Sequence, residues 1–186
     1  DPDVLCLQEY YRSRGEPYTS DSLMEALDRT PFHHLEYSIS NRDKQYGLAI
    51  FSHYPIVGSG KVELDESLSL CTWADIRVGE DTLRIYNMHL QSIRLSSRHY
   101  RMIDSLKFRY DDQQMEEIRD LSTRLRDASI KRAVQADHIA SHMAGCPYPI
   151  IACGDFNDTP VSYTYKRIRA ELNDVFTECG WGAGRT

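Results

Sequence analysis

No stretch of this chain approaches the roughly 20 consecutive apolar residues of a membrane-spanning helix, and no basic-then-apolar leader opens it. Basic surplus is missing too: 22 lysines and arginines stand against 28 aspartates and glutamates, a formal net charge of −6. That balance argues against a general polyanion binder, which carries basic charge clustered over its whole domain. A phosphate-bearing substrate stays open, because a bound divalent metal supplies positive charge locally. The five cysteines, Cys6, Cys71, Cys146, Cys153 and Cys179, are odd in number and contain no C-x-x-C pair. Neither a disulfide framework nor a zinc knuckle is indicated, and Cys6 and Cys153, in apolar runs, read as buried thiols. There is no internal repeat and no low-complexity linker. The opening "DPDVLCLQE" has no methionine, and a preceding segment is expected.

What is present is enough for one domain with a continuous core, since apolar residues make up 41% of 186. "DVLCLQE", between Pro2 and the polar "YYRSRGEPY", predicts a first strand ending on the Glu9 carboxylate. In "SDSLMEALDRTP", Ser22 and Glu25 have capping-box spacing, Leu23, Met24 and Leu27 form a stripe, and Pro31 stops a short helix. "HHLEYSIS" and "YGLAIFSHYPI" read as an antiparallel pair about "NRDKQ", and "LCTWADIRVGEDTLRIYNMHL" as a hairpin about "GED". From Ser96 to Met143 the pattern is helical, with Ile118, Leu121 and Leu125 on one face and Ile130, Val134 and Ile139 on another. A break is expected near Asp127 to Ser129. "YPIIACGDFN" returns to strand, and "TPVSYTYKRIRAEL" predicts a helix with Thr159 as N-cap and Pro160 first. The glycine-rich "ECGWGAGRT" shows no closing element. Strand pairs mixed with helices in this order predict a layered α/β domain, not a regularly alternating doubly wound sheet.

Three of these strands end on polar groups: Glu9, then Asn87 and His89 in "IYNMHLQS", then Asp155 and Asn157 in "CGDFNDTP". Residues two apart share a strand face, so Asn87 with His89, and Asp155 with Asn157 where strand geometry persists, point into one cleft. Strand ends are where open α/β sheets build sites. Each residue also has a plainer role. Glu9 alone is a solvated carboxylate, His89 a hydrogen-bonded structural histidine, Asn87 a turn residue, and Asp158 or Thr159 a helix cap with Asp155 bonding the loop. That account explains the cap but gives Asp155 and Asn157 no reason to precede it.

In this order and spacing, "DPDVLCLQE", "YGLAIFSHYPI", "IYNMHLQS" and "PIIACGDFND" resemble the endonuclease/exonuclease/phosphatase superfamily, from Asp1 to about Phe176. The resemblance implies an α/β fold, the deoxyribonuclease-I-like four-layer α/β/β/α sandwich, with residues 1–186 in a single domain. It implies metal-dependent phosphoester hydrolysis, with magnesium, or manganese, as cofactor. Residue by residue, it implies that Glu9 binds the cation, for which a hard carboxylate oxygen is suited. Asp155 would orient or deprotonate the attacking water, and Asn157 would hold a phosphate oxygen. His89 would bond the phosphate or protonate the leaving oxygen, and Asn87 would support its strand end and contact the phosphate. Such a set supplies charge neutralisation, a nucleophile and a protonated leaving group. Arg132 and Gln135 in "KRAVQAD" resemble the family's R-x-x-Q-A helix, with a helix surface packed on the sheet as their expected place.

The pattern departs from the family at both ends. A first strand bearing an asparagine, and a final strand pair ending in an aspartate and a histidine, are not among these residues. The one Asp-His dipeptide, Asp137-His138, falls on the surface of a predicted helix. The sandwich is therefore expected to lack its first and last strands, to expose apolar sheet edges, and by itself to have little or no activity. "RLSSRHYRMIDSLKFR", Arg94 to Arg109, carries five basic residues against Asp104, with Tyr100 and Phe108 among them. It suits nucleic-acid bases or lipid head groups, or, with the acidic run Asp111 to Asp120, a solvated charge-balanced helix. Overall acidity tilts the expected substrate toward a small or lipid phosphoester over nucleic acid, with membrane contact as its corollary. The rival from another class is a catalytically silent member acting as a binding or scaffold module. Retention of Glu9, Asn87, His89, Asp155 and Asn157 favours the enzyme.

Overall fold

In the computed structural model, residues 2–13, 23, 25–41, 43–64, 68–93, 95 and 112–180 are described. Their elements run β1 (Val4–Ser13), β2 (Phe32–Ser40), β3 (Lys44–Ser52), β4 (Ile56–Lys61), β5 (Leu70–Val78), β6 (Asp81–His89), α1 (Asp112–Ala144), β7 (Ile150–Asp155), α2 (Tyr163–Arg169) and α3 (Val175–Cys179). β1, β3 and β2, in that order, form an antiparallel sheet. The second sheet has the order β4-β5-β6-β7 and is antiparallel except between β6 and β7, which α1 connects as a parallel crossover.

Period-two alternation assigns the layers. Val4 and Cys6 of β1 and Ile50 of β3 meet Ala74, Ile76 and Ile85 of the second sheet, forming a core between the sheets. The intervening residues, Leu5, Leu7, Ala49 and Phe51 with Tyr10, face the other way, onto Leu23 and Leu27 of a helical turn. On the far side, Tyr86 and Met88 of β6 pack against Ala136, Ile139 and Met143 of α1. Helical turn, sheet, sheet and α1 make the expected deoxyribonuclease-I-like α/β/β/α arrangement. Burying an Ile, Leu or Phe side chain contributes about 1.5–3 kcal/mol, so the layers are held by these contacts more than by helix propensity.

Both hairpins form at the expected turns. Asn41 Oδ1 accepts from the backbone N–H groups of Asp43 and Lys44, and Gly79, at φ +63°, starts a two-residue turn that registers Val78 with Asp81. The helices differ from expectation. α1 is unbroken across Asp127 to Ser129, because no glycine or proline interrupts it and Ala128 is buried in the packed face. That face is Ala128, Arg132, Gln135, Ala136, Ile139 and Met143, whereas Leu125, Ile130 and Val134 are exposed. Nine residues are about two and a half helical turns, so Ile130 and Ile139 cannot share a side. α2 begins after Thr159 and Pro160: Ser162 N–H closes a turn onto Thr159 O, and the Ser162 hydroxyl, accepting from Tyr165 N–H, is the cap. α3, capped by Asp174, is too short for hydrophobic periodicity to reveal. The expected cap Ser22, the basic residues from Arg94 to Arg109 and residues 181–186 lie outside the described residues.

Candidate active site

β1 does not end at Glu9 but bulges there and continues to Ser13. Leu7 pairs with Ala49 and Tyr10 with Gly47, so Gln8 and Glu9 together stand opposite Leu48. Strict alternation would have turned Glu9 onto the apolar Leu5–Leu7 face. The extra residue, with Glu9 left-handed at φ +54°, returns Tyr10 to that face and re-aims the carboxylate toward the second sheet. On the other side of β3, Gly47 lets β2 approach, since a Cβ there would lie 1.9 Å from Glu36 O. A left-handed non-glycine residue costs about 1–2 kcal/mol, strain of a kind that collects at functional sites.

His89, the last residue of β6, faces the bulge, with Nε2 3.9 Å from Glu9 Oε1. Its imidazole is only 13% exposed, against 67% for the Glu9 side chain. Asp155 ends β7 in register with His89, and Leu90 N–H donates to Asp155 O. Because β6 and β7 are parallel, their C-terminal ends deliver the histidine and the second carboxylate side by side.

Asn157 reaches the site by a turn and not by strand alternation, which stops at Asp155. It is left-handed, φ +50°, a conformation asparagine tolerates better than most residues. Its backbone N–H donates to Asp155 Oδ1 at 2.8 Å, orienting that carboxylate, and Nδ2 donates to Leu90 O at 3.0 Å. Phe156 between them packs into the core and against Tyr165, which explains an apolar residue inside a polar motif.

Asn87 departs furthest from expectation. It is fully buried, Nδ2 donates to Leu7 O and Ala49 O at 3.0 Å each, and Oδ1 accepts from Gln8 Nε2 at 2.7 Å. Both amide N–H bonds are taken by the opposite sheet, so Asn87 bolts the sheets together beneath Glu9 and has no donor left for a phosphate. Arg132 and Gln135 lie, as expected, on the packed surface of α1, where both are buried. Arg132 Nε donates to Asp158 Oδ2 at 2.9 Å, Nη1 to Gln91 O at 3.0 Å and Nη2 to Ser129 Oγ at 3.1 Å. Gln135 Oε1 accepts from Gln91 N–H at 3.1 Å. α1 thereby holds the loops that follow β6 and β7. Asp137 pairs with Arg167 and His138 is exposed, away from the site.

Two residues without a sequence signal of their own join the group. Tyr46, which reads as an ordinary strand residue, hydrogen-bonds Glu9; burial, that bond and the charges of Glu9 and Asp155 push its hydroxyl up to about 12. It therefore remains a donor. Tyr46 and Lys44 line, with Glu9, His89 and Gln91, a cleft of about 410 Å³. Among the described residues no three histidine, cysteine or acidic side chains form a metal cage. Magnesium does not require one, being held by one or two carboxylates, waters and substrate phosphates. An open Glu9 carboxylate, with Asp155 also acting on Tyr46, is a hard-oxygen set that fits such an ion.

The model of the Endonuclease/Exonuclease/phosphatase family matches residues 1–186. No curated protein matches in sequence. Sphingomyelinase C from Streptomyces griseocarneus has the same fold at 18% identity and a TM-score of 0.59, over 92% of this chain and 57% of that one. For the human Nocturnin catalytic domain with bound sulfate the values are 17%, 0.56, 91% and 56%. For beta toxin from Staphylococcus aureus they are 17%, 0.57, 92% and 59%. The chain thus spans somewhat over half the length of these structures, and at such identities the likeness is one of fold.

Proposed function

This chain belongs to the endonuclease/exonuclease/phosphatase family, and from that premise we propose that it is a metal-dependent phosphoester hydrolase, residues 1–186 working as one domain. The observation that carries the proposal is the 3.9 Å approach of His89 Nε2 to Glu9 Oε1 between the two sheets. With Asp155 in register beside His89, a candidate ion-binding carboxylate, a proton donor and a second carboxylate stand at neighbouring strand positions.

Glu9, oriented by the Tyr46 hydroxyl, would hold magnesium or manganese, and such an ion neutralises charge on the phosphate. Asp155, oriented by Asn157 N–H, positions a water and accepts its proton. His89 donates to a phosphate oxygen or to the leaving oxygen. Asn157 gives one Nδ2–H to Leu90 O and has the second for a phosphate oxygen. Asn87 takes no chemical step. The net charge of −6 supports a small or lipid phosphoester over nucleic acid, whose binding rests on clustered cations. A silent binding module is the rival reading.

The test is hydrolysis of a generic phosphodiester, an inositol phosphate and plasmid DNA by the full-length protein, with magnesium or with chelator. Magnesium-dependent turnover that Glu9→Gln and Asp155→Asn abolish supports the proposal. A folded full-length protein that turns over none of these substrates sinks it, and phosphate binding without turnover favours the silent module.

A further inference from the structure

Tyr46 of β3 registers with Tyr11 of β1 on one side and with Ile39 of β2 on the other. Cross-strand partners share a sheet face, and all three line the cleft that also holds Glu9 and His89. Leu68, two residues before β5, lines the same cleft. Tyr11, Ile39 and Leu68 are 48%, 39% and 43% exposed, so three large apolar side chains stand uncovered around one opening. Polar groups on its wall are committed within the fold: Asn41 Oδ1 accepts from the β2–β3 turn, and Gln91 Nε2 donates to Ser92 O. At about 410 Å³ the cleft has the size of a small-ligand site, and a phosphate group alone fills a small part of it.

We propose that this apolar row is a specificity subsite, taking a phosphoester whose ester group is apolar, an aryl ring or an alkyl chain, with its phosphate toward Glu9 and His89. This rests on the reading of Glu9 and His89 as the phosphoester site and narrows its substrate class. Continuity decides the occupant. Apolar side chains that share one opening with the carboxylate and imidazole are covered by the remainder of the molecule whose phosphate those two groups hold. The bulge arranges this, because it turns Glu9 toward the second sheet while restoring Tyr11 to register with Tyr46. Lys44, two residues beyond Tyr46 and away from Glu9, adds its alkyl stem to the wall. An apolar ester group removes the exposed surface of Tyr11, Ile39 and Leu68 from water, whereas a polyol ester would press hydroxyls against them without hydrogen-bond partners.

The experiment titrates the full-length protein, with magnesium present, with phenylphosphonate, hexylphosphonate and methylphosphonate, whose P–C bonds phosphoester hydrolysis does not cleave, and reads dissociation constants by calorimetry. The phenyl or the hexyl compound should bind at least about 10-fold tighter than the methyl one, and the tighter of the two identifies ring or chain. In an Ile39→Thr, Leu68→Ser double variant that preference should fall below about threefold. Both positions are more than a third exposed, so the variant should keep its fold, which a circular-dichroism melt checks; the comparison among the three ligands needs no variant. Three phosphonates that bind alike, or not at all, or a preference that the folded double variant retains, would overturn the subsite. Turnover measured in parallel separates the two readings. Apolar preference without hydrolysis of any ester keeps the subsite and removes the hydrolase, whereas hydrolysis without apolar preference keeps the hydrolase and removes the subsite.

Discussion

Gln8 Nε2 donates a 2.7 Å hydrogen bond to Asn87 Oδ1, tying the residue beside Glu9 in one sheet to the strand that ends on His89 in the other. The Asn87 amide returns two bonds, to Leu7 O and Ala49 O. The spacing between the carboxylate and the imidazole therefore depends on a buried amide that touches neither.

Asn87→Ala leaves those carbonyls and Gln8 without their partner. Each orphaned buried group costs about 1–3 kcal/mol, so urea denaturation should show a loss of about 2–4 kcal/mol. An unchanged midpoint would show that the amide does not join the sheets.

Glu9→Gly relieves the left-handed backbone at φ +54° and removes the carboxylate. Stability should rise by about 0.5–1 kcal/mol, while magnesium-dependent turnover falls by at least about 100-fold. Glu9→Gln should lose the same activity without the gain in stability. A Glu9→Gly protein that melts below the unmutated one contradicts stored strain at the bulge.

Gly79→Ala tests backbone conformation alone, and Gly154→Ala, at φ +143°, adds steric exclusion to it. At Gly154 a Cβ would sit 2.0 Å from Met88 O, whereas at Gly79, φ +63°, it would meet nothing within 4 Å. Thermal melts should show a cost above about 3 kcal/mol for the first and about 1 kcal/mol for the second. Equal costs would mean that β7 does not approach β6 this closely.

Arg132→Met should cost about 3 kcal/mol or more, because Asp158 and Gln91 O lose a buried guanidinium partner. Lysine at this position should recover only part, lacking the fork that reaches both groups. Hydrogen exchange should quicken at residues 90–93 and 156–158 in both variants. Protection unchanged there would remove Arg132 from the positioning of the loops.

Acid should weaken the fold through His34 and His142. Burial, first, holds both below the ordinary histidine value, with Arg84 adding to the effect at His142 while Glu36 opposes it at His34. His34 Nε2 is also buried without a hydrogen-bond partner among the described residues. Above pH about 6.5 both are neutral whether folded or unfolded. Below it the unfolded chain takes up protons first, so stability falls as pH drops from about 6.5 toward the depressed folded values. Melts from pH 7.5 to 5 should decline more steeply in the unmutated chain than in a His34→Gln, His142→Gln double variant.

All the strands except β4, whose IVGSGK carries two glycines and was not expected, both hairpins and the layered α/β class were legible in the sequence because alternation and turn chemistry act over a few residues. "NRDKQ" and "GED" closed the hairpins where their turn residues lay, and the motifs marked Glu9, Asn87, His89, Asp155 and Asn157 as a group to examine. How those residues are aimed was not legible. Gln8 and Glu9 face the single residue Leu48 only because β1 pairs with β3 in one register, and nothing near Glu9 in sequence announces the bulge. The side chain of Asn87 was taken from the cleft by carbonyls of two distant strands. Ile130 lost its place to Ala128 and Arg132 once α1 lay on a particular face of the sheet, and Ser162 replaced Thr159 as cap once Thr159 to Ser162 closed a turn. Local pattern determines which elements form. The direction of a polar side chain depends on strand register and on the closeness of the two sheets, which arise between residues far apart in the chain, and only the tertiary structure decided them.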